Sequence, residues 1–132
     1  MSFFLKFYFM RKYNEVEIEL LNIQIGCVLR LGRLKKGLSQ HNLSLILGFN
    51  PTMIGRVERA ENISGWDKLL SISQELEIDF CGLFILMGKN ELLSIVKESL
   101  KLEDKLTQEK REYYSFLKTL ISNKYDLLTK AQ

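Results

Sequence analysis

Residues 38–59 carry helix start and stop signals so closely spaced that they leave room only for two short helices and a tight turn. Ser39 has the hydroxyl of a helix N-cap, and the apolar run after it ends at Gly48, which suits a helix C-terminus. Asn50 is a second N-cap residue, and Pro51 stands at the first helical position, where a missing N–H costs nothing. The pattern therefore predicts one short helix on each side of Gly48.

The remainder of the chain also favours helices. It has one Pro and eight Gly in 132 residues, and 46% of the residues are hydrophobic, which disfavours disorder. Apolar residues at helical spacing predict a helix over 22–36 and another over 66–77, and Asp79 suits the N-cap of a last short helix. Five helices joined by short loops predict a compact all-α domain over 21–89.

Residues 90–132 contain neither Gly nor Pro and are typical of one long amphipathic helix, or of two helices with a break. Such a helix cannot bury its apolar stripe alone, so it packs on its own domain or pairs with another chain. We expect this coiled-coil-like segment to form a homodimer. Folding back on the domain and binding a protein partner are the alternatives.

The first 20 residues, 1–20, are interpreted as an apolar N-terminal arm or a mis-assigned start. The first ten read MSFFLKFYFM, half of the roughly 20 apolar residues that a membrane span needs. They also lack the leading positive charge and trailing small residues of a secretory signal. We therefore expect no membrane partner. Either translation starts at Met10, or the arm buries its aromatic side chains on the domain or on a partner.

Charge is distributed unevenly along the chain, although the formal net charge is only +3. Residues 30–59 hold six bases and one acid, a net +5, whereas residues 60–89 hold two bases and five acids, a net −3. A basic stretch is where a polyanion docks. Because the positive segment coincides with the two short helices, we expect them to face the polyanion.

Two short helices around a glycine-containing turn are the sequence form of a helix-turn-helix. The chain resembles the helix-turn-helix of the lambda-repressor/Cro-like (XRE) family in the residues Leu38-Ser39-Gln40-His41-Asn42-Leu43-Ser44, Gly48-Phe49-Asn50 and Ile54-Gly55-Arg56-Val57-Glu58-Arg59. The likeness extends over about residues 25–84. It implies a five-helix lambda-repressor-like DNA-binding domain, followed here by the long C-terminal amphipathic helix. It further implies a transcriptional regulator, by family frequency a repressor, that binds double-stranded DNA as a homodimer.

The resemblance also implies roles for individual residues. The helix over 50–59 is expected to enter the major groove. Its residues expected at base edges are Asn50, Pro51, Thr52, Gly55 and Arg56. Arg56 is the strongest candidate, because a guanidinium can bond both acceptors of a guanine. Gln40 is expected at a phosphate, with Asn42 and Lys36 as weaker phosphate candidates.

A further implied feature is structural. In related proteins an Arg of the first helix pairs with a Glu near the end of the recognition helix, and Arg33 and Glu58 occupy those positions. We therefore expect Arg33 to stabilise the fold and not to contact DNA.

One position departs from the family pattern, and two others limit the contacts that the recognition helix can make with bases. Ala60 stands where a Gly usually takes a left-handed conformation, so we expect Asn62 or Gly65 to supply that turn. Pro51 cannot donate a hydrogen bond and Gly55 has no side chain, so direct base readout from this helix is limited. The alternative is an antitoxin-like or protein-interaction helical module with weak or vestigial DNA binding.

Sequence features of enzymes and metal sites are missing from the chain. It has a single His, and it shows no phosphate-cradling Gly loop, zinc-ligand spacing or nucleophile elbow. We therefore expect no catalytic residues, no metal and no cofactor. Cys27 and Cys81 are expected to be buried thiols. Two cysteines without a disulfide framework favour the reducing cytoplasm, and we expect the protein to lie at the nucleoid when it is bound to DNA. Trp66 is expected to cover the core.

Overall fold

Helices make up all the regular structure in the residues that the computed structural model describes, 12–61 and 65–130. In chain order they are α1 (Glu15–Lys35), α2 (Gln40–Leu47), α3 (Pro51–Glu58), α4 (Trp66–Glu75), a 3₁₀ helix (Cys81–Phe84), α5 (Lys89–Leu102) and α6 (Gln108–Lys130). The all-α prediction is confirmed for these residues. The expectations for residues 1–11, arm or mis-assigned start, lie outside them.

The first helix, α1, begins two turns before the predicted start at residue 22. The Asn14 side chain accepts from the backbone N–H of Glu17 at 2.9 Å, and the Glu17 carboxylate accepts from the N–H of Asn14 at 3.1 Å. This capping box satisfies two N–H groups at the helix start, and α1 therefore runs from Glu15. Residues 15–20, which we assigned to the N-terminal arm, belong to this helix.

The turn between α2 and α3 follows the predicted cap residues. Ser39 Oγ accepts from the N–H of Asn42 at 2.9 Å at the start of α2, and Gly48 ends that helix in a left-handed conformation with φ 69°. Asn50 Oδ1 then accepts from the N–H of Thr52 at 2.8 Å and caps α3. The two helices are consequently bounded by local hydrogen bonds that the sequence alone specifies.

One hydrophobic core joins α1, α2, α3, α4 and the 3₁₀ helix. Its buried members are Leu29, Leu43, Ile54, Val57, Leu69, Ile72, Leu76 and Leu83. The last short helix, expected after Asp79, is only the four-residue 3₁₀ helix, because the chain becomes extended at Ile85. Gln24, which is buried on α1, donates to the carbonyls of Leu83 and Ile85 and so satisfies the backbone where the helical turns end.

A second core joins the C-terminal segment to the other side of α1. Its buried members are Ile23, Cys27, Leu92, Val96, Tyr114, Leu117 and Ile121. The segment forms two helices with a break over residues 103–107, and both fold back on α1. Our expectation that its apolar stripe pairs with a second copy is therefore not supported, because these side chains are already buried within the chain.

Three local expectations fail: the one for the turn after α3, the one for Trp66 and the one for Cys81. Ala60 itself takes the left-handed conformation, with φ 57°, because its N–H and that of Glu61 cap the end of α3. Gly65, expected to supply that turn, has φ −60° and precedes α4, and Asn62 lies outside the described residues. Trp66 is 69% exposed in the first turn of α4, and Cys81 is exposed on the 3₁₀ helix, so neither packs in the core.

Gly26 marks the closest approach of α1 to the end of α3, and it yields a testable prediction. A Cβ at Gly26 would lie 2.5 Å from the carbonyl oxygen of Glu58, a backbone atom that cannot move aside alone. We expect Gly26→Ala to lower the free energy of unfolding by about 1–3 kcal/mol, as overpacking does. Gly32→Ala is the matched control on the same helix: its Cβ meets the end of the flexible Ile78 side chain, and alanine favours helix formation. Urea unfolding should separate the two, and equal losses would contradict this prediction.

The two thiols should differ in reactivity. Burial in the second core raises the pKa of Cys27 to about 11, whereas Cys81 is exposed. Because the thiolate is the reactive form, we expect one thiol to react with a disulfide reagent at pH 8 in the folded protein and two after denaturation. Cys81→Ser should abolish the fast reaction of the native protein. Fast reaction of both thiols in the native wild type would contradict burial of Cys27.

Candidate nucleic-acid interface

The N-terminal half of α3 projects an exposed polar end from the domain. Asn50, Pro51 and Thr52 are exposed, and Arg56 is exposed one turn further along. The opposite side of α3 is held in the first core by Ile54 and by Val57. The structure therefore brings four of the five predicted base-edge residues to one accessible surface.

Gly55, the fifth residue, is buried, so its expected exposure at the base edges is wrong. A Cβ at this position would lie 3.0 Å from Nη1 of Arg59 and 3.2 Å from Oε1 of Gln40. These two longer side chains cover the glycine. Its lack of a side chain lets Gln40 and Arg59 approach α3.

Five of the six bases in residues 30–59 have partners within the described chain. Arg30 and Arg33 are buried. The exposed ion pairs are Lys35 with Glu98 at 3.5 Å, Lys36 with Glu77 at 3.0 Å and Arg59 with Glu61 at 3.0 Å. The side chain of Arg56 makes no ion pair or hydrogen bond to any residue of 12–61 or 65–130, although its backbone carbonyl accepts from the N–H of Glu61. Much of the positive stretch is thus neutralised locally, a result that linear charge counting could not reveal.

The ion pair implied between Arg33 and Glu58 is present and buried. Arg33 donates from Nε to Glu58 Oε2 at 2.6 Å and from Nη2 to Oε1 at 3.0 Å. Its third contact is from Nη1 to the carbonyl of Leu38 at 2.8 Å, just before α2. Arg33 therefore ties α1 to both helices of the turn and is not available to a ligand.

Gln40 is turned inward. Its Nε2 donates to Glu58 Oε1 at 3.0 Å, so the amide belongs to the same buried cluster as Arg33. A phosphate at the start of α2 would therefore meet backbone N–H groups and the exposed side chain of Asn42, but the Gln40 amide only if it left Glu58.

Arg30 is a structural residue that charge counting placed in the basic stretch. Its Nη2 donates to the carbonyl of Glu58 at 2.9 Å and to the hydroxyl of Tyr113 at 3.0 Å. Its guanidinium lies 4.9 Å from the ring centre of Tyr113 and 5.6 Å from that of Tyr114. Although burial opposes its charge, Tyr113 and Glu58 hold the pKa of Arg30 above its ordinary value. No local signal marks this contact, because Tyr113 is 83 residues away along the chain.

A groove of about 1130 Å³ lies between the start of α2 and the connection from α5 to α6. Ser39, Gln40 and Asn42 are among the residues on the α2 side. The acidic residues that line it are Glu58, Glu61, Glu103, Asp104 and Glu109. Its bases are Arg30 and Arg33, which contact Glu58, and Arg59 and Lys110, which are paired with Glu61 and Glu103. With five carboxylates and four bases, the lining has no excess of positive charge to attract a polyanion.

Other site types find no support in the described part of the chain. Residues 12–61 and 65–130 contain no group of three or more His, Cys, Asp or Glu side chains arranged to hold a metal ion. No helix in the same residues is long and apolar enough to cross a membrane. Comparisons of the chain with protein-family models, with curated proteins and with solved structures give no match.

The Glu58 cluster yields a prediction about stability. Glu58→Ala leaves the Arg33 guanidinium buried without its carboxylate partner, and we expect a loss of about 3 kcal/mol or more in the free energy of unfolding. Glu61→Ala is the control, because it removes the exposed partner of Arg59 and should change stability within the error of urea unfolding. If the pair acts as a unit, Arg33→Ala/Glu58→Ala loses no more than either single variant. Additive losses would contradict the coupling.

Proposed function

We propose that this protein binds double-stranded DNA in a sequence-specific manner as a lambda-repressor/Cro-like regulator of transcription, acting as a repressor in the cytoplasm. The observation that carries the proposal is the setting of α3. Its inner side is fixed by the first core and by the buried Glu58 cluster, while Asn50, Thr52 and Arg56 are exposed on its outer side. A rigid helix with an exposed polar start is what major-groove reading requires.

Arg56 carries most of the base recognition in this proposal. Its guanidinium can bond N7 and O6 of a guanine, because no side chain of the described residues forms an ion pair or hydrogen bond with it. Thr52 offers a hydroxyl and a methyl group to a neighbouring base or phosphate. Asn50 is engaged by the N–H of Thr52, so it contributes mainly through its position at the start of the helix. At the start of α2 the side-chain contacts to phosphate are the exposed Asn42 and Lys36, and Lys36 leaves its exposed ion pair with Glu77 to make that contact.

A homodimer would place two copies of α3 in successive major grooves about 34 Å apart. The stripe on the C-terminal segment that faces α1 is buried within the chain. We therefore assign the contact between copies to apolar residues that α6 leaves exposed, Phe116 and Leu127.

A second candidate is a protein-interaction or antitoxin-like module with weak DNA binding. Leu45 is 67% exposed on α2, and Ile46 beside it is also exposed. Exposed apolar neighbours of this kind mark contacts with other proteins. The burial of Gly55 and the acidic groove beside α2 also reduce the surface that DNA can use.

The proposal is tested with Arg56. Duplexes are first selected from a random pool by the wild-type protein, and affinities are then measured by fluorescence anisotropy. We expect Arg56→Ala to lose about 1–3 kcal/mol of discrimination at one guanine, because a bidentate contact disappears. Arg56→Lys should retain general affinity and lose that discrimination. Lys101→Ala removes one exposed charge from the last turn of α5 and should leave both the general affinity and the discrimination at the guanine unchanged.

Two outcomes would count against the proposal. A wild-type protein that retards no DNA in gels even at low salt, where phosphate attraction is strongest, does not bind DNA in this way. Equal weakening of all sequences by Arg56→Ala would make Arg56 a phosphate contact and remove it from base readout.

A further inference from the structure

An exposed apolar surface lies where the 3₁₀ helix ends. Phe84 is 39% exposed and Ile85 is 52% exposed, and the two are adjacent in the chain. The ring of Phe80 packs edge-on against that of Phe84, with 5.2 Å between ring centres. Phe84 is therefore held in place by a second aromatic ring while much of its own surface remains open to solvent.

The start of the described chain is fastened to this surface. The hydroxyl of Tyr13 donates to the carbonyl of Phe84 at 3.3 Å and accepts from the N–H of Leu86 at 3.0 Å. The two bonds bracket Ile85, so Tyr13 lies within one side-chain length of both exposed apolar residues. The preceding segment is therefore attached to the described chain close to both residues.

The segment that precedes Tyr13 is itself strongly apolar. Five of residues 1–11 are aromatic, namely Phe3, Phe4, Phe7, Tyr8 and Phe9. We propose that residues 3–9 of the same chain cover the surface formed by Phe84 and Ile85. This inference is independent of the proposed DNA binding, because neither Phe84 nor Ile85 is among the residues assigned to DNA contacts.

Length and tethering favour the chain's own arm over a second copy. Residue 7 lies six residues before Tyr13, so an extended chain can carry it up to about 20 Å from that residue. A short tether also gives the arm an effective concentration in the millimolar range at Phe84. A second copy of the chain, present at micromolar concentration, competes poorly for Phe84 with an arm at a millimolar effective concentration. Aromatic side chains left in water would otherwise form a patch that soluble proteins avoid.

Cys81 provides a natural probe of this contact. It is exposed and lies three residues before Phe84, about 6 Å along the 3₁₀ helix, while Cys27 is buried. The full chain carrying Phe7→Cys is incubated at low micromolar concentration with oxidised glutathione. Thiol–disulfide exchange then joins Cys81 to the introduced thiol and releases two molecules of reduced glutathione. We expect an intramolecular disulfide, identified by peptide mapping under non-reducing conditions.

Tether length alone could also bring the two thiols together, so the decisive comparison keeps the tether constant. Phe3→Ser, Phe4→Ser and Phe9→Ser are added to Phe7→Cys, which leaves the chain length and both thiols unchanged. We expect at least a tenfold slower disulfide formation. Ile85→Ser should slow it as well, whereas Leu45→Ser, at an exposed apolar position on α2, should not. Equal rates with and without the aromatic side chains would overturn the proposal. A predominantly intermolecular disulfide would overturn it in favour of a second copy.

Discussion

The buried carboxylate of Glu58 is the contact on which the arrangement of the helices depends. It accepts two hydrogen bonds from Arg33 of α1 and one from Gln40 of α2, and its own backbone carbonyl accepts from Arg30. Gly26 lets α1 approach that carbonyl closely. A carboxylate at the end of α3 thus sets the position of the helix whose start is exposed. Since a buried charge is tolerated only with its partners in place, the same contact also specifies which helices meet.

Arg30 extends this cluster to the C-terminal helices. Its guanidinium joins the end of α3 to Tyr113 and Tyr114 of α6, and the hydroxyl of Tyr114 donates to Glu103 at 2.8 Å. The C-terminal segment is therefore packed on the domain by polar contacts as well as by the second core. A partner that binds α6 therefore contacts an element that Arg30 of α1 connects to the end of α3.

Individual residues show how far sequence reasoning reaches. The helix boundaries around Gly48 were predictable, because Ser39 and Asn50 act on N–H groups two or three residues away. The start of α1 was missed although Asn14 and Glu17 form a capping box, a signal that was present in the sequence. The burial of Gly55 could not be predicted, because it is covered by Gln40, which precedes it by 15 residues, and by Arg59, which follows it in the chain.

The sequence by itself determined the all-helical fold class and the local limits of α2 and α3, since cap hydrogen bonds and apolar periodicity act over a few residues. Tertiary structure alone decided which basic side chains of residues 30–59 remain available to bind a polyanion. Arg30 lies beside the Glu58 carboxylate and donates to the hydroxyl of Tyr113, and Lys36 is paired with Glu77; all three partners are far away in the chain. It also decided that the C-terminal stripe is buried against α1. Amphipathic periodicity predicts that one face of a helix is buried, but only tertiary packing determines which surface buries it.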